Sequence, residues 1–296
     1  MTVQFRHYSG PADYQRISDF LVAHYQSDNQ DGNWVEPAWE YMHAHPALDR
    51  SALGRIGIWE DAGQIVGVAH YESRLGEAFF QVAPAYRSLR PEMLDYAETH
   101  LAGEDGPPVL QAYVNDNDPE FIALVQARGY QKNPDGVRQM CRWVIPDPFP
   151  FIQLPDGFQL KSLADECDWA KVNRVLWRGF DHEGEPPAGA EDLDSRRTMF
   201  DTPKARRDLK IVVVAPSGDF AAFCGMFYEP TCRYAYVEPV ATDPDYRRMG
   251  LGKAAVLEGV RRCAALGATV AYVGNELPIY RSAGFTKIYN SECWGK

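Results

Sequence analysis

The chain carries the same short phrases twice. ARGYQK at 127–132 returns as SAGFTK at 282–287, and PAYR at 84–87 returns as PDYR at 244–247. The two matches lie at nearly the same spacing and fall in the same order of elements. Together they predict an internal duplication, which constrains the fold more than any single motif. A length of 296 residues leaves room for two domains. The architecture must therefore be one that about half the chain can complete, built twice.

The pattern of apolar residues predicts the same succession in both halves. The first half reads as strand 3–9, helices 11–26 and 35–45, and strands 54–61 and 64–73 around the turn Asp61-Ala62-Gly63. Strand 77–84, helix 90–101, strand 108–115, helix 118–130 and strand 137–144 follow. The prolines of PDPFPFIQLPDG cannot extend a helix and predict an extended connector over 146–155. The second half reads as strand 158–163, helices 164–180 and 190–200, and strands 209–215, 220–229 and 233–242. A helix from Gly250 to about Leu266, strand 269–274, short helix 277–283 and strand 286–290 close it. The expected domains are 1–145 and 156–296.

A net charge of −11 argues against nucleic-acid binding through a basic surface. It fits a soluble enzyme and mildly favours cationic small substrates. The first twenty residues lack the apolar core of a secretory signal, and no stretch has the roughly eighteen apolar residues of a membrane span. Cys141, Cys167, Cys224, Cys232, Cys263 and Cys293 are scattered, with no CxxC pair and no zinc spacing. The expectation is reduced thiols in a cytoplasmic protein, with no metal and no membrane or nucleic-acid partner.

The stretch DYRRMGLGKAAV, 245–256, places two glycines at the start of an amphipathic helix, where each costs about 1 kcal/mol relative to alanine. A helix N-terminus presents unpaired N–H groups and partial positive charge, and glycines let an anion approach them. RRMGLG therefore reads as a phosphate cradle, with the flanking Arg247 and Arg248 adding charge. A P-loop is excluded, because Ala254 follows Lys253 and Arg247 stands where its first glycine belongs. Gly250, Gly252 and Ala255 satisfy a dinucleotide fingerprint, but only 44 residues follow Gly252. That is too few for the remaining βαβ units.

Arg247-Arg248-Met249-Gly250-Leu251-Gly252 matches R-x-x-G-x-G. It follows the strand YVEPVATDP and precedes YRSAGF by about thirty residues. This combination resembles the GCN5-related N-acetyltransferase (GNAT) superfamily, strongly over 155–292 and through element order in the first half. The paired halves look like the tandem arrangement of mycothiol synthase-like proteins. The resemblance implies an α/β fold of two tandem domains, each a mixed, mostly antiparallel central sheet flanked by helices. It implies that Val240, Ala241 and Thr242 present main-chain groups to the acetyl and pantetheine portion of acetyl-CoA. Backbone N–H groups from Arg248 to Lys253, through Met249, Gly250, Leu251 and Gly252, would hold the pyrophosphate. Asn275 would reach the pantetheine arm, although it precedes Tyr280 by five residues where the commoner pattern has seven.

Tyr280, four residues before Gly284, corresponds to the family's tyrosine near the thioester sulfur; its phenol can protonate a departing thiolate. The bland alternative is a core aromatic. Glu238 can take a proton from an attacking amine, and alternation puts it on the face of Val240 and Thr242 unless Pro239 marks a bulge. The alternative is an ordinary strand-end acid. His182, Glu183 and Glu185, in FDHEGEPP, are candidates for acceptor binding, the alternatives being a solvated loop or a metal site. Lys253 is expected to serve through its backbone, and Cys293 reads as an inert thiol.

Aligning PAYR on PDYR places Arg90 and Glu92 where Gly250 and Gly252 stand, with Pro91 between them. Aligning ARGY on SAGF puts Val125 in place of Tyr280. The first domain is expected to keep the fold without the chemistry. The expected function is acetyl transfer from acetyl-CoA to a primary amine of a small molecule. The alternatives are a non-catalytic acyl-CoA sensor and an acyltransferase using a longer acyl-CoA.

Overall fold

A computed structural model describes residues 3–103 and 109–296. The chain forms two compact units: Met1–Met140 with Ile288–Lys296, and Cys141–Lys287. They do not divide at the expected 146–155 segment. The last residues return to the first unit, and 141–155 goes with the second.

The first unit contains β1 (Gln4–His7), α1 (Pro11–Ala23), α2 (Glu36–Ala44), β2 (Gly57–Asp61), β3 (Gln64–His70) and β4 (Glu77–Val82). Next come α3 (Arg90–His100), β5 (Gln111–Asn115), α4 (Pro119–Ala127) and β6 (Gln131–Val144), whose last four residues belong to the second unit. The expected strand 108–115 begins at a residue outside those described; among the described residues the strand is β5, from Gln111. Strands β1 to β4 run antiparallel in sequence order, and β4 meets β5 in parallel. The helix α4 starts where it does because the Asp118 carboxylate accepts from Phe121 N, closing one of the free N–H groups of its first turn.

The second unit contains β7 (Gln159–Ser162), α5 (Trp169–Gly179), α6 (Ala190–Thr198), β8 (Lys210–Val214), β9 (Phe220–Glu229) and β10 (Tyr234–Thr242). α7 (Leu251–Ala265), β11 (Val270–Val273), α8 (Pro278–Ala283) and the start of β12 (Thr286–Gly295) follow. Strands β7 to β10 form an antiparallel meander, and β10 pairs in parallel with β11. Alternation on β9 feeds two layers. Ala222, Cys224 and Met226 share a core with Leu251, Ala255, Val256 and Val260 of α7, while Phe223 meets Phe200 just past α6. The helix α5 is capped by Asp168, which accepts from Lys171 N, and buries Val172, Val175 and Leu176.

Two strands are longer than their sequence pattern suggests. β6 begins at Gln131 instead of 137, and β12 runs on to Gly295 instead of ending at 290. The extra length of β12 is paid out in pairing: Ser291 to Gly295 lie antiparallel to Asn115 to Gln111 of β5. β11 in turn pairs with Cys141–Val144 of β6. Each half thus takes its closing strand segment from the other half of the sequence. Among the described residues no helix is long and apolar enough to cross a membrane.

Candidate active site

The site is built where β10 leaves β11. The two strands pair from Tyr234–Val237 with Val270–Val273, and the pairing stops there. At that point β10 carries a bulge: Val237 faces Met226 and Val240 faces Cys224, so one extra residue lies between them. Val240 therefore shares the face of Val237, and the simple alternation expected from Glu238 through Val240 is interrupted at the bulge that Pro239 signals. Gly225 makes the bulge possible, because a side chain there would overlap the Glu238 carbonyl and Pro239. Val240 and Thr242 are partly exposed and Ala241 is buried. These residues continue to pair with β9 while their other edge leaves β11.

The strand runs into Asp243, a short 3-10 turn over Pro244–Tyr246, and then a left-handed stretch. Arg248 has φ 65° and Gly250 has φ 82°. Gly250 caps α7, whose first helical bond is Ala254 N to Gly250 O at 3.0 Å. Helix geometry leaves the N–H groups of Leu251, Gly252 and Lys253 without intrahelical acceptors. The two glycines serve different purposes. Gly250 is needed for its left-handed backbone and has open space around it. A Cβ on Gly252 would lie 2.6 Å from Thr242 Oγ1 and 2.8 Å from Ile279 Cδ1, so this glycine lets α7 close on β10 and α8. Only the first of them leaves room for an anion.

The arginines also divide. Arg248 and Met249 are exposed, and Lys253 is half-buried. The Arg247 guanidinium is turned away from the helix end. Its Nη2 donates to Gly179 O at 3.0 Å and Asp181 Oδ1 at 2.8 Å, and its Nε donates to Thr242 O at 3.3 Å. Arg247 thus anchors the turn, correcting the expectation that both arginines lend their charge to phosphates. Asn275 is exposed just past β11.

Tyr280 sits on α8, 7% exposed, packed in the core with Leu251 and Phe285. It is a core aromatic on an element flanking the turn. Burial raises its phenol above the ordinary value, and the neighbouring Cys224 and Glu238 push in the same direction. Tyr280 therefore keeps its proton throughout the physiological range. Glu238, half-buried, is close enough to Tyr280 to act on its titration.

Loop 180–189 joins α5 to α6. His182 packs against Trp177 with ring centres 4.5 Å apart and the planes tilted by 31°, Trp177 Nε1 donates to Gly184 O at 3.1 Å, and Asn173 Nδ2 donates to Pro187 O at 2.7 Å. Glu183 and Glu185 are exposed. Among the described residues no three His, Cys, Asp or Glu side chains gather as a metal would require. Cys293 lies in the first unit on β12, opposite Tyr113, and burial pushes its thiol up.

One group went unread in the sequence. Asp243 is fully buried and accepts from Arg178 Nε at 2.8 Å and Nη2 at 3.1 Å, with Arg174 Nη1 3.1 Å away. The only local signal was an acid directly after the strand, which is common; its partner Arg178 lies 65 residues earlier in the sequence.

Residues 169–285 match the Acetyltransferase (GNAT) family. A mycothiol acetyltransferase from Geodermatophilus obscurus is 25% identical over 275 residues, covering 83% of this chain and 82% of its own. Among solved structures, a GCN5-related N-acetyltransferase from Sphaerobacter thermophilus aligns with a TM-score of 0.67 at 17% identity, over 99% of this chain and 95% of its own. A tandem GNAT protein from the clavulanic acid biosynthesis pathway aligns with a TM-score of 0.65 at 15% identity, over 100% and 98%. At those identities the structural likeness speaks for the fold.

Proposed function

We propose that the chain is an acyltransferase of the GCN5-related N-acetyltransferase superfamily, in its tandem form, and that it moves an acetyl group from acetyl-CoA to a primary amine of a small molecule. The relative named a mycothiol acetyltransferase supports acetyl as the cargo. The net charge of −11 and the exposed Glu183 and Glu185 favour a cationic acceptor.

Acetyl-CoA supplies a thioester, already reactive toward amines. The N–H groups at the start of α7 hold its pyrophosphate, with Arg248 adding charge. The main chain of Val240, Ala241 and Thr242 receives the pantetheine arm and orients the acetyl carbonyl. Glu238 takes the proton that the amine sheds on attack, directly or through one water. Tyr280 faces the departing sulfur. Its raised pKa decides how it acts: a phenol less acidic than a thiol does not hand over its proton fully. It stabilises the developing thiolate as an O–H donor. The C–N bond forms, the C–S bond breaks, and the thiolate leaves with its charge met by that donor. Holding both reactants in one cleft supplies much of the remaining acceleration.

The observation that carries this reading is the juxtaposition of an open, left-handed turn at a helix N-terminus with a strand that has just parted from its neighbour. Calorimetric titration with acetyl-CoA tests it. One site per chain, weakened by Gly250→Glu, is the expected result. No binding would sink the assignment of the turn.

A further inference from the structure

Each unit has a corner where its first helix, a strand hairpin and a turn meet. The two corners share a frame and are filled differently. The residue that ends the strand donates its N–H to the neighbouring strand in both: Asp243 N to Ala221 O at 3.0 Å, and Ala83 N to Val66 O at 2.9 Å. The tyrosine three residues on meets the hairpin in both. Tyr246 Oη lies 3.2 Å from Ser217 Oγ, and Tyr86 Oη donates to Asp61 Oδ2 at 2.7 Å. In the second unit Arg174 and Arg178, four residues apart on α5, close on the buried Asp243 at 3.1 and 2.8 Å. In the first unit Ala83 replaces that acid. Counted from the helix caps Gly10 and Asp168, Arg16 and Phe20 of α1 match the two arginines. Arg16 turns out to the hairpin, where Nη2 donates to Gly63 O at 2.9 Å and Nη1 lies 2.7 Å from Glu60 Oε1. A cavity of about 490 Å³ is left in the corner, a size that suits a small molecule.

The floor of this cavity is apolar, made by the buried Phe20, Ile65, Val66 and Ala83. Its mouth is acidic. Asp19 of α1 and Asp61 at the end of β2 stand there, and neither has an acidic counterpart: the same count matches Asp19 to Trp177, and the second unit's strand end is Ala215-Pro216. One oxygen of each carboxylate is engaged, by Gln15 Nε2 and by Tyr86 Oη; the other has no hydrogen bond among the described residues. The Arg16 charge is already met by Glu60 and Asp13. Burial lowers the pKa of His24, on the same rim, so its ring adds no positive charge at neutral pH. An apolar floor under two uncompensated carboxylates selects a ligand with an apolar body and a cationic head. The cavity lies on the β3 side of β4, whereas the first unit's strand opening lies on the β5 side. It is therefore not a second copy of the acyl-CoA cleft.

We propose that this corner of the first unit is a binding site for a small organic cation, an ammonium group carried on an aryl or alkyl body. The body lies on Phe20, Ile65 and Val66, and Asp19 and Asp61 hold the ammonium. The bound cation takes the place that the second unit gives to its own Arg178. The first unit thus has a ligand of its own, independent of the acetyl transfer assigned to the second.

Hydrogen exchange on the full chain, with 2-phenylethylammonium or with 3-phenylpropionate as the matched anion, tests it. At saturation the cation should slow exchange in 19–24 and 61–66 by about fivefold or more, and the anion should not. Asp19→Asn combined with Asp61→Asn keeps the shape of the mouth and an acceptor for Tyr86; it should weaken the cation's effect about tenfold. Ala23→Trp, at an exposed position ending α1, should fill the mouth and abolish the response while exchange without the cation stays unchanged. No slowing in these two segments of the unaltered protein overturns the proposal. So does equal slowing by the anion, because the carboxylates then select nothing, and so does a response that persists undiminished in both variants. Slowing confined to 169–285 places the cation in the second unit and overturns the assignment to this corner.

Discussion

The turn after β4 and the turn after β10 begin with nearly the same residues and end differently. Both open with Pro-x-Tyr-Arg. After β10 the backbone goes left-handed at Arg248 and Gly250, and α7 starts with free N–H groups. After β4 a 3-10 turn over Pro84–Leu89 runs straight into α3, with Leu89 and Arg90 both right-handed. The side chains at the two glycine positions are then used internally. Arg90 pairs with Asp118, and Glu92 accepts from Trp59 Nε1 at 2.8 Å. The strand opening is also present in the first unit, where β4 pairs with β5 only at Glu77 and Ala78. Asn33 fills it: its side-chain oxygen accepts from Val82 N at 2.9 Å and its amide donates to Val82 O at 3.0 Å. By the repeat, Val82 stands where Thr242 does. The comparison teaches that a fold can keep its opening while its own side chains take the bonds a ligand would make.

The largest expected effect would separate the halves at Tyr280. Tyr280→Phe should lower turnover by about a hundredfold or more and leave acetyl-CoA affinity unchanged. An unaltered rate would mean that the second unit lacks its donor just as Val125 leaves the first without one.

Acid should then distinguish the units. Six of the seven histidines lie in the first. Burial holds His43 down to about 4 and His70 to about 3. Because these values lie below the unfolded one, the unfolded chain gains protons first. Stability present above pH 6.5 is lost as pH falls towards 4, by on the order of a few kcal/mol. Exchange rates followed down that range should rise in the first unit before the second; the reverse order would break the contrast.

Asn33→Ala leaves the Val82 amide and carbonyl unmet and should cost about 1–3 kcal/mol, read as a lower Tm. The calorimetric stoichiometry should stay at one, because the first unit still lacks the left-handed turn. A second acetyl-CoA site in this variant would show that Asn33 alone kept the first unit shut. Smallest is Gly252→Ala, where overpacking against Thr242 and Ile279 costs on the order of 1 kcal/mol. It should weaken acetyl-CoA binding roughly tenfold at most, while Glu92→Ala in the first unit leaves affinity untouched. Equal effects of the two substitutions would count against the assignment of the turn to one unit.

What the sequence made legible was local. The repeat, the order of elements and the RRMGLG turn depend on neighbours, and the α/β class follows from them. The bulge at Glu238 was signalled by Pro239, yet its consequence for facing required the register against β9. Arg247 looked like a phosphate ligand because residue type and position agreed; only the placement of Gly179 and Asp181 reveals another use. The exchange of closing strands was hidden for a sharper reason. β6 and β12 both begin just after the repeated Ala-Arg-Gly-Tyr or Ser-Ala-Gly-Phe, so nothing in the local sequence says which partner each takes.

That exchange bears on how the protein is made. β5 cannot gain its β12 neighbour until residues 291–295 have been synthesised, long after the rest of the first unit has left the ribosome. Until then it presents an unpaired strand edge, the kind of surface that invites wrong partners. A cut through the proline-rich segment would leave the first unit without its last strand and deprive the second of Cys141–Val144. The duplication is written as two consecutive halves, but it matures as one.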